Sequence, residues 1–416
     1  MKSSGNTPEN SVSKADWNGL LSEDAKNLKE SEIRALFSVV SRPEVVSLAG
    51  GLPNLADLPL YDIAAMTAKM IDTDGQKALQ YGDGHGWDPL RHQIVEVMAA
   101  EGIDADPDLI QITTGSQQAL QFVTSLLVNP GDVILAESPS YVGALGVFGA
   151  ELADVQQVRM DEDGLVPEAL ESMIQEVRDE GGNIKFLYTI PNFHNPAGVT
   201  LTAERRKQVA DICRKHGVLI VEDNPYGLLG FNEQPPAPIQ THWPEGVVYL
   251  GSFSKIFAPG YRIGWLLSPE SLFEKFVLAA EAAILSPSMM GQMSISKYLD
   301  EFPWLEQVRN FAGMYEERWK AMEAALKAEL PEATWTEPDG GFYTWVTLPE
   351  GLDSKEMLPR AVEGLVAYVP GTAFYYDDRG RDHMRLAFCY PTPDVIREGV
   401  RRLGEVVRKE LSIQSS

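Results

Sequence analysis

A lysine follows a predicted buried strand at a short distance. Residues 247–250 form an apolar run, and Ser252, Lys255 and Arg262 come after it. Lysine is usually solvated, so a lysine at the end of a core strand needs an explanation. A partly desolvated lysine loses its proton more easily and can form a Schiff base with a carbonyl group, while the serine and the arginine could hold an anion beside it. A solvated loop would explain the same residues, so this stretch alone leaves both interpretations open.

A second stretch could also bind an anion. Residues 113–118 connect a predicted strand to a predicted helix that begins near Gln117. The N-terminus of a helix presents unpaired N–H groups, Gly115 would let an anion come close, and Ser116 could add a hydroxyl group. The stretch matches neither a Walker loop nor a Rossmann fingerprint. A helix cap without any ligand is the alternative.

A third stretch, residues 221–226, contains Asp223, which follows the apolar residues 218–221 after Glu222. A carboxylate that emerges from a buried strand needs a partner. The six histidines are scattered without ligand spacing, so we expect no metal site. The carboxylate could instead meet a cationic ring nitrogen, a pair that gains roughly 4 kcal/mol of Coulomb attraction at ~4 Å and an effective dielectric near 20. Tyr226 lies three residues further on and could donate to a ring oxygen.

Three more side chains could contact a ligand. Asn195 lies in a proline-rich turn, where it could serve the turn alone or give a ligand a neutral hydrogen bond. Tyr141 follows another strand end, where an aromatic ring could stack on a flat ligand. Arg385 lies within an apolar strand. A half-buried arginine commonly pairs with a carboxylate, which could be internal or could belong to a substrate.

The elements that must position these residues form two patterns. The first is an alternation of apolar strands and amphipathic helices, with strands predicted at residues 109–112, 133–136, 185–190, 218–221, 247–250 and 263–267. It predicts an α/β fold with a mostly parallel central sheet covered by helices on both faces, and the sites of such sheets lie beyond the carboxyl ends of the strands. The second pattern begins near residue 302 and predicts a smaller α+β domain.

The two patterns predict a division of the chain into four parts. These are a disordered tail at residues 1–30, an N-terminal segment at 31–58 that joins the small domain, a large domain at 59–301, and a small C-terminal domain at 302–416.

Composition excludes several classes of function. With 35 basic and 60 acidic residues the net charge is −25, which argues against nucleic acid or an anionic membrane as a partner. No apolar run approaches the roughly 20 residues that span a bilayer. The two cysteines lie far apart in sequence, which suits a reducing cytoplasm.

Taken in order, these stretches resemble the class I/II aminotransferases, which are fold type I enzymes that use pyridoxal 5′-phosphate (PLP). The 2-aminoadipate and kynurenine aminotransferases are the most similar subgroup, and the resemblance runs from about residue 31 to about residue 411. One departure is Ala197, in a motif that usually reads Asn-Pro-Thr-Gly. No position to which the family assigns a catalytic role is missing.

The resemblance implies a role for each residue at the ring of the cofactor. Lys255 would form the Schiff base with PLP and move the proton at the substrate Cα. Asp223 would keep the pyridine nitrogen protonated, so that the ring acts as an electron sink. Tyr141 would stack on the ring, while Asn195 and Tyr226 would bind the ring hydroxyl oxygen.

The resemblance also implies phosphate and substrate contacts. Phosphate would be bound by Ser116, Gln117, Ser252 and Arg262. Tyr81, which spacing alone places in a flexible loop, would reach that phosphate from the second subunit of a homodimer. Arg385 and Asn195 would hold the α-carboxylate of the substrate, with the backbone of Gly51 beside them.

The expected activity is amino-group transfer between an L-amino acid and a 2-oxo acid by a ping-pong mechanism, with glutamate and 2-oxoglutarate as one pair. The other donor could be 2-aminoadipate, an aromatic or a branched-chain amino acid. Arg34 could read a distal carboxylate or could be an ordinary exposed side chain.

Two other hypotheses remain open. A PLP-dependent lyase or decarboxylase would share the cofactor residues. A non-catalytic regulator that binds an effector is a hypothesis of another class. The roughly 30 residues before the first predicted helix leave little room for a DNA-binding helix-turn-helix, and the acidic charge opposes DNA binding.

Overall fold

The computed structural model describes residues 16–22, 25–26 and 42–414. Arg34 lies outside these residues, as does most of the predicted tail. The strands are β1 (Val46–Ser47), β2 (Ile110–Thr113), β3 (Val133–Ser138), β4 (Asp154–Asp161), β5 (Gly164–Leu165), β6 (Ile184–Thr189), β7 (Leu219–Asp223), β8 (Val247–Ser252), β9 (Gly264–Leu267), β10 (Thr334–Trp335), β11 (Tyr343–Thr347), β12 (Val366–Ala367), β13 (Val369–Pro370) and β14 (His383–Ala387).

The described α-helices alternate with these strands in the first two thirds of the chain. They are α1 (Leu60–Ala78), α2 (Asp88–Ala99), α3 (Ser116–Leu127), α4 (Val142–Ala150), α5 (Pro167–Asp179), α6 (Ala203–His216), α7 (Phe253–Ile256), α8 (Glu270–Ile284), α9 (Met289–Glu301), α10 (Trp304–Glu329), α11 (Ser354–Glu363) and α12 (Pro393–Gln414). Helix α1 contains a kink at Asp74.

An eight-stranded sheet forms the centre of the molecule, in the order β2-β9-β8-β7-β6-β3-β4-β5. The pairs from β8 through β7, β6 and β3 to β4 are parallel, whereas β9 runs antiparallel to both of its neighbours. The prediction of a mostly parallel sheet is confirmed. Because β8, β7, β6 and β3 are parallel neighbours, their carboxyl ends meet at one edge of the sheet.

Both faces of this sheet are buried. In β3, Ile134 and Ala136 pack into a core with α3 and α4, while Val133 and Leu135 pack into a second core with α5 and α6. Successive side chains in a strand point to opposite faces, so a strand covered on both sides must be apolar throughout. This burial explains why the strand sequences are continuous apolar runs.

A second sheet, with the order β10-β11-β14-β13, is antiparallel throughout. Helices α10 and α12 pack against each other, α12 also contacts β1 and β12, and the apolar stripe of α12 includes Ile396, Val400 and Leu403 in the main core. Near the N-terminus of the described chain, β1 pairs in parallel with β12. The domain boundaries at residues 30, 58 and 301 remain a prediction.

Candidate active site

The carboxyl ends of the parallel strands open into a cavity of about 1680 Å³. Of the predicted site residues that the structure describes, it contains all except Tyr81. The cavity-lining members of that set are Gly51, Ser116, Gln117, Tyr141, Asn195, Asp223, Tyr226, Ser252, Lys255, Arg262 and Arg385.

Lys255 lies on the short helix α7, directly after β8. Its Nζ donates a hydrogen bond to the carbonyl oxygen of Gly51 at 3.0 Å and lies 5.2 Å from the ring centroid of Phe342. The cavity wall leaves the side chain partly exposed, but protein atoms surround the amine. This desolvation, together with the charges of Arg385 and Arg262, lowers the pKa of Lys255 to about 8. A substantial fraction of the amine is therefore neutral near physiological pH, as a nucleophile requires.

Asp223 ends β7 and has two oxygens in different environments. Oδ2 accepts a hydrogen bond from the hydroxyl group of Tyr188 at 2.8 Å. Oδ1 is buried and has no hydrogen-bond partner among the described residues. Burial raises the pKa of Asp223 to about 6, and the Tyr188 hydrogen bond opposes that rise. The unpaired oxygen on the cavity wall needs a donor, and no described side chain provides one.

Another part of the cavity wall is built to receive an anion. Helix α3 begins at Ser116, so its first N–H groups lack intrahelical acceptors. Gly115, just before it, has φ +77°, and a Cβ there would lie only 2.6 Å from Nη2 of Arg262. Arg262 itself adopts a left-handed φ of +54°, which is uncommon for a residue other than glycine. A guanidinium group is thereby held beside a helix N-terminus.

Two further side chains border this anion site. Ser252, the last residue of β8, accepts a hydrogen bond from the backbone N–H of Ser254 at 3.1 Å. Gln117 accepts one from the Tyr141 hydroxyl group at 3.4 Å and donates to the carbonyl of Gly143 at 3.2 Å. Burial raises the pKa of Tyr141 to about 12, so the hydroxyl group stays protonated.

Arg385 lies on β14, in the second sheet, and reaches across to the first. Its Nη1 donates to Oδ1 of Asn195 at 2.8 Å and its Nη2 to the carbonyl of Ala49 at 2.7 Å. The side chain is 2% exposed. No described carboxylate forms an ion pair with it, and Nε has no partner among the described residues. The internal ion pair that the sequence left open is therefore absent from the described part of the chain.

Tyr343 is a cavity residue that sequence reasoning missed. The Arg385 guanidinium lies 4.2 Å from its ring centroid. Its hydroxyl group lies 3.5 Å from that of Tyr226 and 1.8 Å from where a Cβ on Gly51 would stand. Only a glycine at position 51 lets this ring enter the cavity. The sequence offered no signal beyond a tyrosine in an apolar strand.

Sequence reasoning also missed the partners of Glu137, a buried carboxylate at the end of β3. Its oxygens accept hydrogen bonds from Thr189 Oγ1 at 2.7 Å and from the N–H of Ile190 at 2.8 Å, and His194 Nε2 lies 3.0 Å away. These contacts tie the strand that leads to Tyr141 to the turn that carries Asn195.

Tyr81 does not line the cavity. It is 77% exposed and borders a separate cavity of about 550 Å³ with Lys77 and Trp87. Arg34 lies outside the described residues.

Among the described residues, no group of three or more His, Cys, Asp or Glu side chains could hold a metal ion. A search of the same residues also gives no helix with the length and apolar character of a membrane span.

Comparison with known proteins identifies relatives that match nearly the whole chain. Residues 43–403 match the family model described as "Aminotransferase class I and II". The chain is 40% identical to aromatic-amino-acid aminotransferase 1 of Thermococcus litoralis over 400 residues, which are 95% of this chain and 96% of the relative. It is 34% identical to the 2-aminoadipate transaminase of Thermus thermophilus over 403 residues, covering 95% and 98%.

A solved structure also matches nearly the whole chain. It is that of Pyrococcus horikoshii kynurenine aminotransferase, in complex with "PMP, KYN as substrates and KYA as products". The TM-score is 0.90 at 38% sequence identity, and the match covers 94% of this chain and 98% of that one.

Proposed function

Since the chain belongs to the class I and II aminotransferases and uses PLP, we propose that the cavity around Lys255 is its active site. There, an amino group moves from an L-amino acid to a 2-oxo acid in two half-reactions of a ping-pong mechanism. The observation that carries this proposal is that Lys255, Asp223 and Arg385 share one cavity with an anion site at the start of α3.

The residues of the cavity fit the cofactor. The buried, unpaired Oδ1 of Asp223 has the position and charge to accept a hydrogen bond from a cationic ring nitrogen. The α3 N-terminus, Ser116, Gln117, Ser252 and Arg262 provide N–H, hydroxyl and guanidinium donors for a phosphate. When bound, PLP supplies an electron sink for the charge left by removal of the substrate α-proton.

Lys255 would hold the cofactor covalently and, once released by the incoming amine, take up and return the α-proton. A general base works best when its pKa lies near the operating pH, and a lysine with a pKa of about 8 meets that condition. Tyr226 and Asn195 would hydrogen-bond the ring hydroxyl oxygen, and Tyr141 would stack on the ring.

Arg385 would bind the α-carboxylate of the substrate. Asn195 and the Ala49 carbonyl fix the guanidinium, while the absence of a described carboxylate partner leaves its charge available. Binding an anion here also orients the bond to be broken relative to the ring, and orientation accounts for much of enzymatic rate enhancement.

The proposed assembly is a homodimer in which Tyr81 reaches the phosphate of the other subunit. Its support is that Tyr81 lies outside the cavity of its own subunit and is exposed, as is Leu79 two residues before it. Large exposed apolar side chains that lie together are typical of a surface that another chain covers.

For substrates we propose glutamate and 2-oxoglutarate as one pair and 2-aminoadipate, an aromatic or a branched-chain amino acid as the other donor. The names of the relatives support this range. A distal carboxylate needs a second cation. Arg42 and Arg402 line the cavity but already pair with Glu44 and Glu398. Arg34 is our candidate for that cation.

A panel of amino donors with 2-oxoglutarate, assayed on the wild type and on Arg34→Ala, tests the proposal. We expect transamination by the wild type. In the variant we expect KM to rise about tenfold for dicarboxylic substrates and to stay unchanged for phenylalanine and leucine, because only the former lose an ion pair. Arg42→Ala, which removes a paired arginine, is the control.

Two outcomes would contradict parts of the proposal. Release of ammonia or CO₂ without consumption of an oxo acid would establish a lyase or decarboxylase instead. An unchanged preference for dicarboxylic over apolar donors in Arg34→Ala would remove the role of Arg34 alone.

A further inference from the structure

The buried face of Asp223 makes one strong contact, which the proposed function does not use. Tyr188 lies on β6 and Asp223 at the end of β7, and these strands are parallel neighbours in which Tyr188 pairs with Val221. The Tyr188 hydroxyl group donates to Oδ2 of Asp223 at 2.8 Å. Both side chains are buried, with 0% and 5% exposed.

The ring of Tyr188 cannot easily turn away from this contact. It packs edge-on against Phe148, with centroids 5.4 Å apart and the planes at 78°, within the main core. Close packing of this kind holds a side chain in one rotamer. The hydroxyl group therefore remains on Oδ2 and leaves Oδ1 as the oxygen on the cavity wall.

We propose that Tyr188 is a positioning residue for Asp223, which directs Oδ1 toward the ring nitrogen of PLP and holds the carboxylate in its ionised form. The inference rests on the proposed role of Asp223 at that nitrogen. A hydroxyl donor stabilises the charged carboxylate more than the neutral acid, so it shifts the shared proton from the carboxyl group toward the ring.

The charges around the pair agree with this assignment. Burial raises the pKa of Asp223 to about 6, and among the described residues the Tyr188 hydrogen bond is the contact that lowers it. Burial and the negative charge of Asp223 raise the pKa of Tyr188 well above its usual value, so Tyr188 remains a donor. The other ionisable side chains that face Tyr188 are Tyr141 and Glu137.

Removal of the hydroxyl group should therefore make the ring less cationic. A less cationic ring withdraws less charge from the bond between lysine and cofactor, so the pH midpoint of the cofactor's absorbance change should rise. In the Tyr188→Phe holoenzyme we expect a rise of at least about 0.5 pH units, with a kcat loss of about tenfold and a smaller change in KM. We also expect the apoenzyme to bind PLP more weakly.

Two variants make the test specific. Tyr368→Phe removes an equally buried hydroxyl group, which lies between β12 and β13 and donates to the Ser354 carbonyl at the start of α11 at 2.6 Å, and should leave the midpoint unchanged. In Asp223→Asn the midpoint should rise, and adding Tyr188→Phe should change it no further. If Tyr188→Phe does not fold, Tyr188→Met takes its place, since it also lacks the hydroxyl group.

The results separate this inference from the proposed function. If Asp223→Asn leaves the midpoint where it is in the wild type, the assignment of Asp223 to the ring nitrogen is wrong. If Asp223→Asn raises it and Tyr188→Phe does not, or Tyr368→Phe raises it equally, the role of Tyr188 is wrong and that of Asp223 stands.

Discussion

At the scale of single residues, Arg385 shows how an unpaired charge is kept ready for a ligand. Burying a guanidinium without a carboxylate is unfavourable unless other groups compensate. Here, two oxygens, on Asn195 and Ala49, and the face of Tyr343 provide that compensation without neutralising the charge. The site thus fixes the guanidinium group in a geometry that a carboxylate can pair with, and its positive charge remains available to the substrate.

This arrangement predicts that shape as well as charge matters at position 385. Arg385→Lys retains a cation but loses the planar fork and its contact with the Tyr343 ring. We expect kcat/KM for every amino donor to fall about a hundredfold or more, mainly through KM, because each donor carries the same α-carboxylate. Steady-state kinetics would measure it, with Arg402→Lys at the cavity rim as the control. A loss confined to dicarboxylic donors would contradict the assignment.

At the scale of elements, the site depends on where strands end and helices begin. Four parallel strand ends deliver side chains to one edge, and the start of α3 faces Arg262 across Gly115. The packing of Arg262 against the Gly115 backbone leaves no room for a side chain, so the anion site needs both residues together.

The consequence can be tested with two glycines of similar positive φ. Gly115 and Gly131 have φ of +77° and +84°, but a Cβ at Gly131 would meet nothing within 4 Å. Both alanine variants should lose about 1–3 kcal/mol of stability from backbone strain. Only Gly115→Ala should displace Arg262 and weaken PLP binding, by about tenfold, in titrations of the apoenzyme. Equal PLP affinities in the two variants would contradict the proposed anion site.

Much of the site follows from the sequence because its residues stand at predictable places. Asp223 and Lys255 come shortly after apolar runs, and parallel strands bring such positions to one edge. Other contacts could not be foreseen. Tyr188 and Tyr343 read as ordinary core aromatics, and the partners of Glu137 lie about fifty residues away in sequence. Nothing local marks a buried tyrosine as the donor to a particular carboxylate.

At the scale of the whole molecule, charge is distributed unevenly. The chain carries a net charge of −25, yet Lys255, Arg262 and Arg385 line one cavity. An anionic cofactor and anionic substrates are repelled by the protein as a whole and attracted by that cavity, which favours binding there over binding elsewhere on the surface. The homodimer, the domain boundaries and the cytoplasmic location remain predictions.

The central claim is that Lys255 carries the cofactor, and chemical trapping tests it most directly. Reducing the PLP-loaded enzyme with borohydride fixes the cofactor to the amine that holds it, and digestion followed by mass spectrometry locates the modified peptide. We expect one phosphopyridoxyl group per chain, on Lys255, and none after reduction of Lys255→Ala. Modification of a different lysine, or a Lys255→Ala variant that transaminates at the normal rate, would contradict the account.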